Sequence, residues 1–193
     1  MGVIETDGKC YVTYMTKGTE FSPTMIKTNL SSSYLCKPED AWWGSPEDAD
    51  YGWKEWCKSE SFGNYDFGKP IRWHLEKGSK IFQIDDESVF NLDLDNEFLK
   101  YVYFEDIDFN TIRMPFEEMV RYLKFERSQD CYCDPEYKNL KINFYKLLDD
   151  GFVAVELMNS CIGHCFINKV EIMFNGWDCE SIVVLDPDKI VFE

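Results

Sequence analysis

No stretch of the chain is long and apolar enough to span a bilayer. It has no glycine-rich phosphate-binding fingerprint, and the regular strand–helix alternation of a doubly wound nucleotide fold is missing. Internal repeats, low-complexity tracts and an interdomain linker are missing too. Basic residues are scarce: 20 Lys and Arg stand against 36 Asp and Glu, a formal charge of −16. That balance argues against direct nucleic-acid binding through a broad basic surface and against docking on an anionic membrane. It favours solubility, a basic protein partner, or mimicry of nucleic acid. The opening MGVIETDGKC lacks the basic-then-apolar order of a signal peptide, and Met1-Gly2 with Thr6 is a weak myristoylation signal. A cytoplasmic protein is expected, with most of its eight cysteines as free thiols.

What is present is a large apolar inventory. Hydrophobic residues make up 45% of the 193 and aromatics 17%, too many large apolar side chains for a disordered chain. The length suits one compact domain, residues 1–193, with a sizeable core.

Tyr11 to Met15 alternates like a strand and ends in the polar turn Thr16-Lys17-Gly18-Thr19. Residues 22–40 read as a loop. Ser45 followed by Pro46, Glu47 and Asp48 has the grammar of a helix start, running to about Lys58. Ile71–Leu75 and Lys80–Ile84 read as two strands of a hairpin through Glu76-Lys77-Gly78-Ser79. Glu97 to Tyr103 reads as helical, and Pro115 starts a helix with Phe116, Met119, Val120 and Leu123 on one face. A short helix from Asn143 to Asp149 stops at Gly151, and strand-like runs follow at 152–157, 170–174 and 181–185. The expected fold class is α+β with a largely antiparallel sheet.

Three segments can carry chemistry. Asp178 and Glu180 precede a hydrophobic strand; in extended geometry residues i and i+2 share a face, so the two carboxylates can share a cleft and divide acid–base work. On spacing alone a solvated acidic turn is the favoured reading in so acidic a chain. In Trp42-Trp43-Gly44-Ser45-Pro46, adjacent tryptophans cannot both be core in an alternating strand, so one faces a groove where its indole can stack on a flat ring. Ser45 has the plainer role of a helix cap. Lys17-Gly18-Thr19 offers one cation and accessible amides for a phosphate, or is an ordinary turn.

The order of these segments resembles the ADP-ribosyltransferase superfamily, particularly its compact bacterial and phage-encoded members. Tyr14–Phe21 is similar to its Tyr-(His/Arg)-Gly-Thr strand, and Trp43-Gly44-Ser45-Pro46 to its Ser-Pro segment. Gly151–Leu157 is similar to its Gly-Tyr-Asp strand, and Asp178-Cys179-Glu180 to its (Glu/Gln)-x-Glu turn. The resemblance implies a split, mostly antiparallel sheet with flanking helices, and cleavage of the nicotinamide–ribose bond of NAD. It implies transfer of ADP-ribose to a macromolecular acceptor, a protein, as a phage or bacterial effector would do, and the charge of −16 would select a basic target. In it Glu180 stabilises the cationic sugar, Asp178 prepares the acceptor, and Ser45 positions the nicotinamide ribose. Lys17, Gly18 and Thr19 face the pyrophosphate or ribose, and Trp42 or Trp43 flanks the base. Lys17 stands where Arg or His is usual, and Asp178 is one methylene shorter than the usual acid. The alternative from another class is a non-catalytic acidic inhibitor of a basic or nucleic-acid-binding partner.

Other groups are set aside. Cys131, Cys133, Cys161, His164 and Cys165 contain enough soft ligands for zinc, but CxC with CxxHC is not a standard zinc-ribbon pair, so zinc is not expected. A nucleophilic pair of His164 with Cys161 or Cys165 is poorly supported, and His74 reads as structural. Trp53 and Trp56, which suggest a carbohydrate platform, read as core at helical spacing.

Overall fold

The computed structural model describes residues 2–32, 37–62, 67–85, 100–104, 114–115, 140–158, 165–167, 170–172 and 177–193. Its strands, in chain order, are β1 (Gly2–Glu5), β2 (Tyr11–Thr13), β3 (Asn29–Ser32), β4 (Pro38–Asp40), β5 (Trp42–Pro46), β6 (Ile71–Leu75), β7 (Lys80–Ile84) and β8 (Val102–Phe104). They continue as β9 (Met114–Pro115), β10 (Leu140–Ile142), β11 (Phe152–Leu157), β12 (Cys165–Ile167), β13 (Val170–Ile172), β14 (Ser181–Val184) and β15 (Ile190–Phe192). Among the described residues there are two α-helices, α1 (Trp53–Ser59) and α2 (Phe144–Asp149).

Eight strands form one sheet in the order β1-β7-β11-β14-β5-β2-β6-β15. Neighbours run antiparallel except β7 and β11, which are parallel. The fold is thus α+β and dominated by antiparallel pairing. The sheet is strongly curled. Ile81 of β7, near one edge, joins the same buried cluster as Trp73 and Leu75 of β6, near the other, with Tyr11, Trp42, Ala154, Ile182 and Val184 between them. Burying large apolar groups from both ends of the sheet on one concave face stabilises the curl.

That curl corrects the expected hairpin. The strands lie where the sequence places them, and the turn is there, with Ser79 donating its amide to the Glu76 carbonyl at 3.1 Å and Gly78 at φ +81°. Yet β6 pairs with β2 and β15, while β7 pairs with β1 and β11. The turn carries the chain from one half of the curled sheet to the other. A four-residue turn has the reach for either arrangement, and the core decides between them.

Three further expectations change. The helix expected from Ser45 begins at Trp53 instead, because Trp42–Pro46 is drawn into the sheet between β14 and β2. Residues 22–40 contain a 3-10 turn, Pro23–Met25, and the antiparallel pair β3–β4, rather than loop alone. Val102–Phe104 is a strand paired with β9 and β10, not helix, and Pro115 lies in β9. Phe116, Met119, Val120 and Leu123 lie outside the described residues, as do Cys131, Cys133, Cys161 and His164. Helix α2 forms as expected: the Asn143 side chain accepts the Lys146 amide at 3.1 Å, and Gly151 follows at φ +86°. Among the described residues, no helix is long and apolar enough to cross a membrane.

Candidate functional site: a cavity on three adjacent strands

The strands β14, β5 and β2 lie side by side, and alternation splits their side chains between two faces. Trp42, Ile182 and Tyr11 turn inward to the core. Val12, Trp43, Ser45 and Ser181 turn outward and line a cavity of about 290 Å³. Thr13 and Tyr14 at the end of β2, Lys37 before β4, Trp53 of α1, and Asp178 and Cys179 before β14 complete its walls. The volume sits at the low end of small-ligand sites, roughly 300–1,000 Å³. It suits one heterocycle with its sugar rather than a whole dinucleotide.

The two tryptophans of the Trp-Trp pair divide as alternation requires. Trp42 is core, its ring 5.2 Å from that of Phe21, while Trp43 stands in the cavity wall. The Trp43 ring is fixed edge-to-face against fully buried Trp177, with centroids 4.8 Å apart. The Lys37 ammonium lies 5.3 Å from the Trp43 ring centroid. Burial holds the Lys37 pKa below its ordinary value, while the nearby Asp178 and Cys179 pull the other way. Burial pushes the Cys179 thiol up to about 11, so this wall residue is a neutral thiol at neutral pH.

Ser45 is buried, and its hydroxyl oxygen accepts the Trp53 amide at 2.9 Å, capping α1 from a neighbouring strand. The close approach depends on Gly52, where a Cβ would come within 3.0 Å of the Ser45 Cβ. Thr13 donates its hydroxyl to the Trp43 carbonyl and accepts Trp73 Nε1 at 2.9 Å, which ties the cavity wall to the core.

Other residues singled out from sequence lie elsewhere. Lys17, Gly18 and Thr19 form an exposed turn closed by the Thr19 amide on the Thr16 carbonyl at 3.0 Å, and none lines the cavity. Asp178 and Glu180 part company: residues 177–180 precede β14 and are not extended strand, so the i, i+2 rule does not bind them. Asp178 is exposed at the cavity, whereas Glu180 is buried and absent from its walls.

Glu180 belongs with a polar cluster that sequence reasoning missed. Glu156 of β11 is fully buried and accepts hydrogen bonds from Lys9 Nζ at 2.9 Å, Tyr11 Oη at 3.2 Å and Gln83 Nε2 at 2.8 Å. Burial raises the pKa of Glu180; Lys9 opposes the shift, and Glu156, Asp48 and Asp50 add to it. Burial, then the Glu156 charge and hydrogen bond, also raise the Tyr11 phenol. The available signal was one acid inside an otherwise apolar strand, Phe152–Leu157. Lys37 was missed as well, although it is the only basic residue between Lys27 and Lys54.

The chain matches no protein-family model, no curated protein and no solved structure. Among the described residues, no group of three or more His, Cys, Asp or Glu side chains is arranged to hold a metal. The chemistry the cavity can offer is therefore read from its walls: indole and phenol faces for a flat ring, one cation, one carboxylate, and hydroxyls at Thr13, Ser45 and Ser181.

Proposed function

We propose that the protein is an NAD-dependent mono-ADP-ribosyltransferase, built on the split sheet of that superfamily, that modifies a basic macromolecular target. One observation carries the reading. Three of the four segments that bear the resemblance lie on or directly beside the hydrogen-bonded neighbours β2, β5 and β14, and contribute Tyr14, Trp43, Ser45 and Asp178 to one cavity.

In this reading the nicotinamide and its ribose occupy the cavity, with the pyridine ring against Trp43 and Lys37 toward the phosphates. The C–N bond breaks with its electron pair leaving on the nicotinamide nitrogen, and an acceptor nucleophile bonds to the ribose carbon. Asp178 faces the developing positive charge and takes the acceptor's proton. Thus Asp178 carries the work that the resemblance gives to Glu180, and Lys37 that of Lys17.

Labelled NAD incubated with a basic acceptor protein tests this reading. Transfer by the wild type that survives Glu180→Gln and falls at least about a hundredfold in Asp178→Asn supports it. Transfer abolished by Glu180→Gln but not by Asp178→Asn would move the chemistry to the inner cluster and sink the assignment of the cavity.

The second reading, a non-catalytic acidic inhibitor, draws on the charge of −16 and on the placement of Lys17 and Glu180 away from the cavity. It predicts no nicotinamide release, and binding to a basic partner that weakens steeply with salt.

A further inference from the structure

Helix α1 carries two tryptophans three residues apart, yet the residue it fully buries is Cys57. Trp53 and Trp56 are half-buried and stack on one another, with ring centroids 5.0 Å apart and planes 21° from parallel. Phe62 extends this slab, 4.9 Å from the Trp56 ring, with 46% of its surface exposed. Two tryptophans and a phenylalanine are costly to leave at a surface, and aromatic side chains are the residues that most often anchor partners. The flanking charge is acidic. Asp48, Asp50 and Glu60 are exposed and Glu55 is half-buried, against Lys54 and Lys58. The Lys54 ammonium lies 5.4 Å from the Tyr14 ring, a short-range partner of its own.

We propose that the Trp53–Trp56–Phe62 slab is a docking surface for an arginine-rich segment of a protein partner. A guanidinium lies flat on an indole face, where the ring quadrupole attracts it, and the surrounding carboxylates within a chain of charge −16 draw the segment in. Trp53 also belongs to the cavity wall, so a segment on the slab reaches the cavity mouth. The inference rests on the transferase reading only in taking this partner to be the acceptor.

The test titrates an arginine-rich synthetic peptide into the full chain by calorimetry, using wild type, Trp56→Ala, Phe62→Ser and, as a control on another exposed apolar residue, Val191→Ser. The wild type and Val191→Ser bind, and binding weakens with salt. Trp56→Ala and Phe62→Ser each lose roughly tenfold in affinity or more. The milder Trp56→Phe, with its thermal midpoint measured alongside, separates a lost anchor from a lost fold. Equal binding by both slab variants overturns the proposal. So does equal binding of a glutamate-rich peptide or a neutral oligosaccharide, or a wild-type dimer that Trp56→Ala converts to monomer. NAD titrated into the same proteins separates the two claims. Failure of NAD to bind with peptide binding intact removes the transferase reading alone. NAD binding without slab-dependent peptide binding removes the docking surface alone.

Discussion

The hydroxyl oxygen of Ser45, near the end of β5, accepts a hydrogen bond from the amide of Trp53, the first residue of α1, at 2.9 Å. Sheet and helix are joined there across the turn that separates them in sequence, and the bond sets Trp53 over the cavity. Replacing Ser45 with Ala leaves that helix-terminal amide without its partner and is expected to cost about 1 kcal/mol. Chemical denaturation measures the loss, and unchanged stability would show that the cap contributes nothing.

Gly44 sits beneath Trp73 on the inner face. A Cβ at Gly44 would stand 2.7 Å from Trp73 Cζ2 and 3.1 Å from the Val12 carbonyl oxygen. Trp73 is fully buried and its Nε1 is hydrogen-bonded to Thr13, so it has little room to yield. Gly44→Ala is expected to destabilise the protein by roughly 1–3 kcal/mol. A thermal midpoint equal to that of wild type would contradict this packing.

Much of the scaffold is legible in the sequence, and these two residues show why part of the site is not. The strand runs Ile71–Leu75, Lys80–Ile84 and Phe152–Leu157 follow from local pattern, because each alternation or apolar run reflects a neighbourhood the strand itself dictates. The partner of a strand is not local. Nothing between Leu75 and Lys80 says that the sheet curls and the two strands part. Likewise the grammar of Ser45-Pro46-Glu47-Asp48 is that of a helix start, and Ser45 does cap a helix, but one that begins eight residues later because β14 and β2 claim its backbone. The cavity's cation, Lys37, and the buried Glu156 lie in segments whose local pattern gives them no role. Only the fold brings them to Trp43 and to Lys9.

The Lys9–Glu156 pair is a buried carboxylate held by a mostly buried ammonium, with side chains 0% and 29% exposed. Lys9→Met leaves Glu156 inside the sheet with only the neutral donors of Tyr11 and Gln83. The expected loss is about 3 kcal/mol, near the lower range for breaking a buried pair. Glu156→Gln in the Lys9→Met background recovers part of it by removing the buried charge. Additive losses in that double-mutant cycle would contradict the coupling.

Glu180 makes stability depend on pH. Its folded pKa is raised above the ordinary 4.5, chiefly by burial. Its contribution is therefore fully present below the pH at which the unfolded carboxyl titrates and is lost as pH rises through the folded value. Glu180→Gln removes this dependence, so wild type loses stability relative to the variant as pH rises above about 4.5. Urea midpoints from pH 4 to 7, on the order of the window set by ordinary carboxylates, provide the readout. A constant difference would show that Glu180 is not held in a desolvated site.

Which lysine meets the ligand decides between the cavity and the exposed turn. NAD titrated into wild type, Lys37→Met and Lys17→Met by calorimetry separates the half-buried cation at the Trp43 ring from the one in the exposed turn. Wild type and Lys17→Met are expected to bind, with at least a tenfold loss in Lys37→Met, on the order of one charge-assisted contact. Loss in Lys17→Met with Lys37→Met unaffected, or no binding by the wild type, would contradict it.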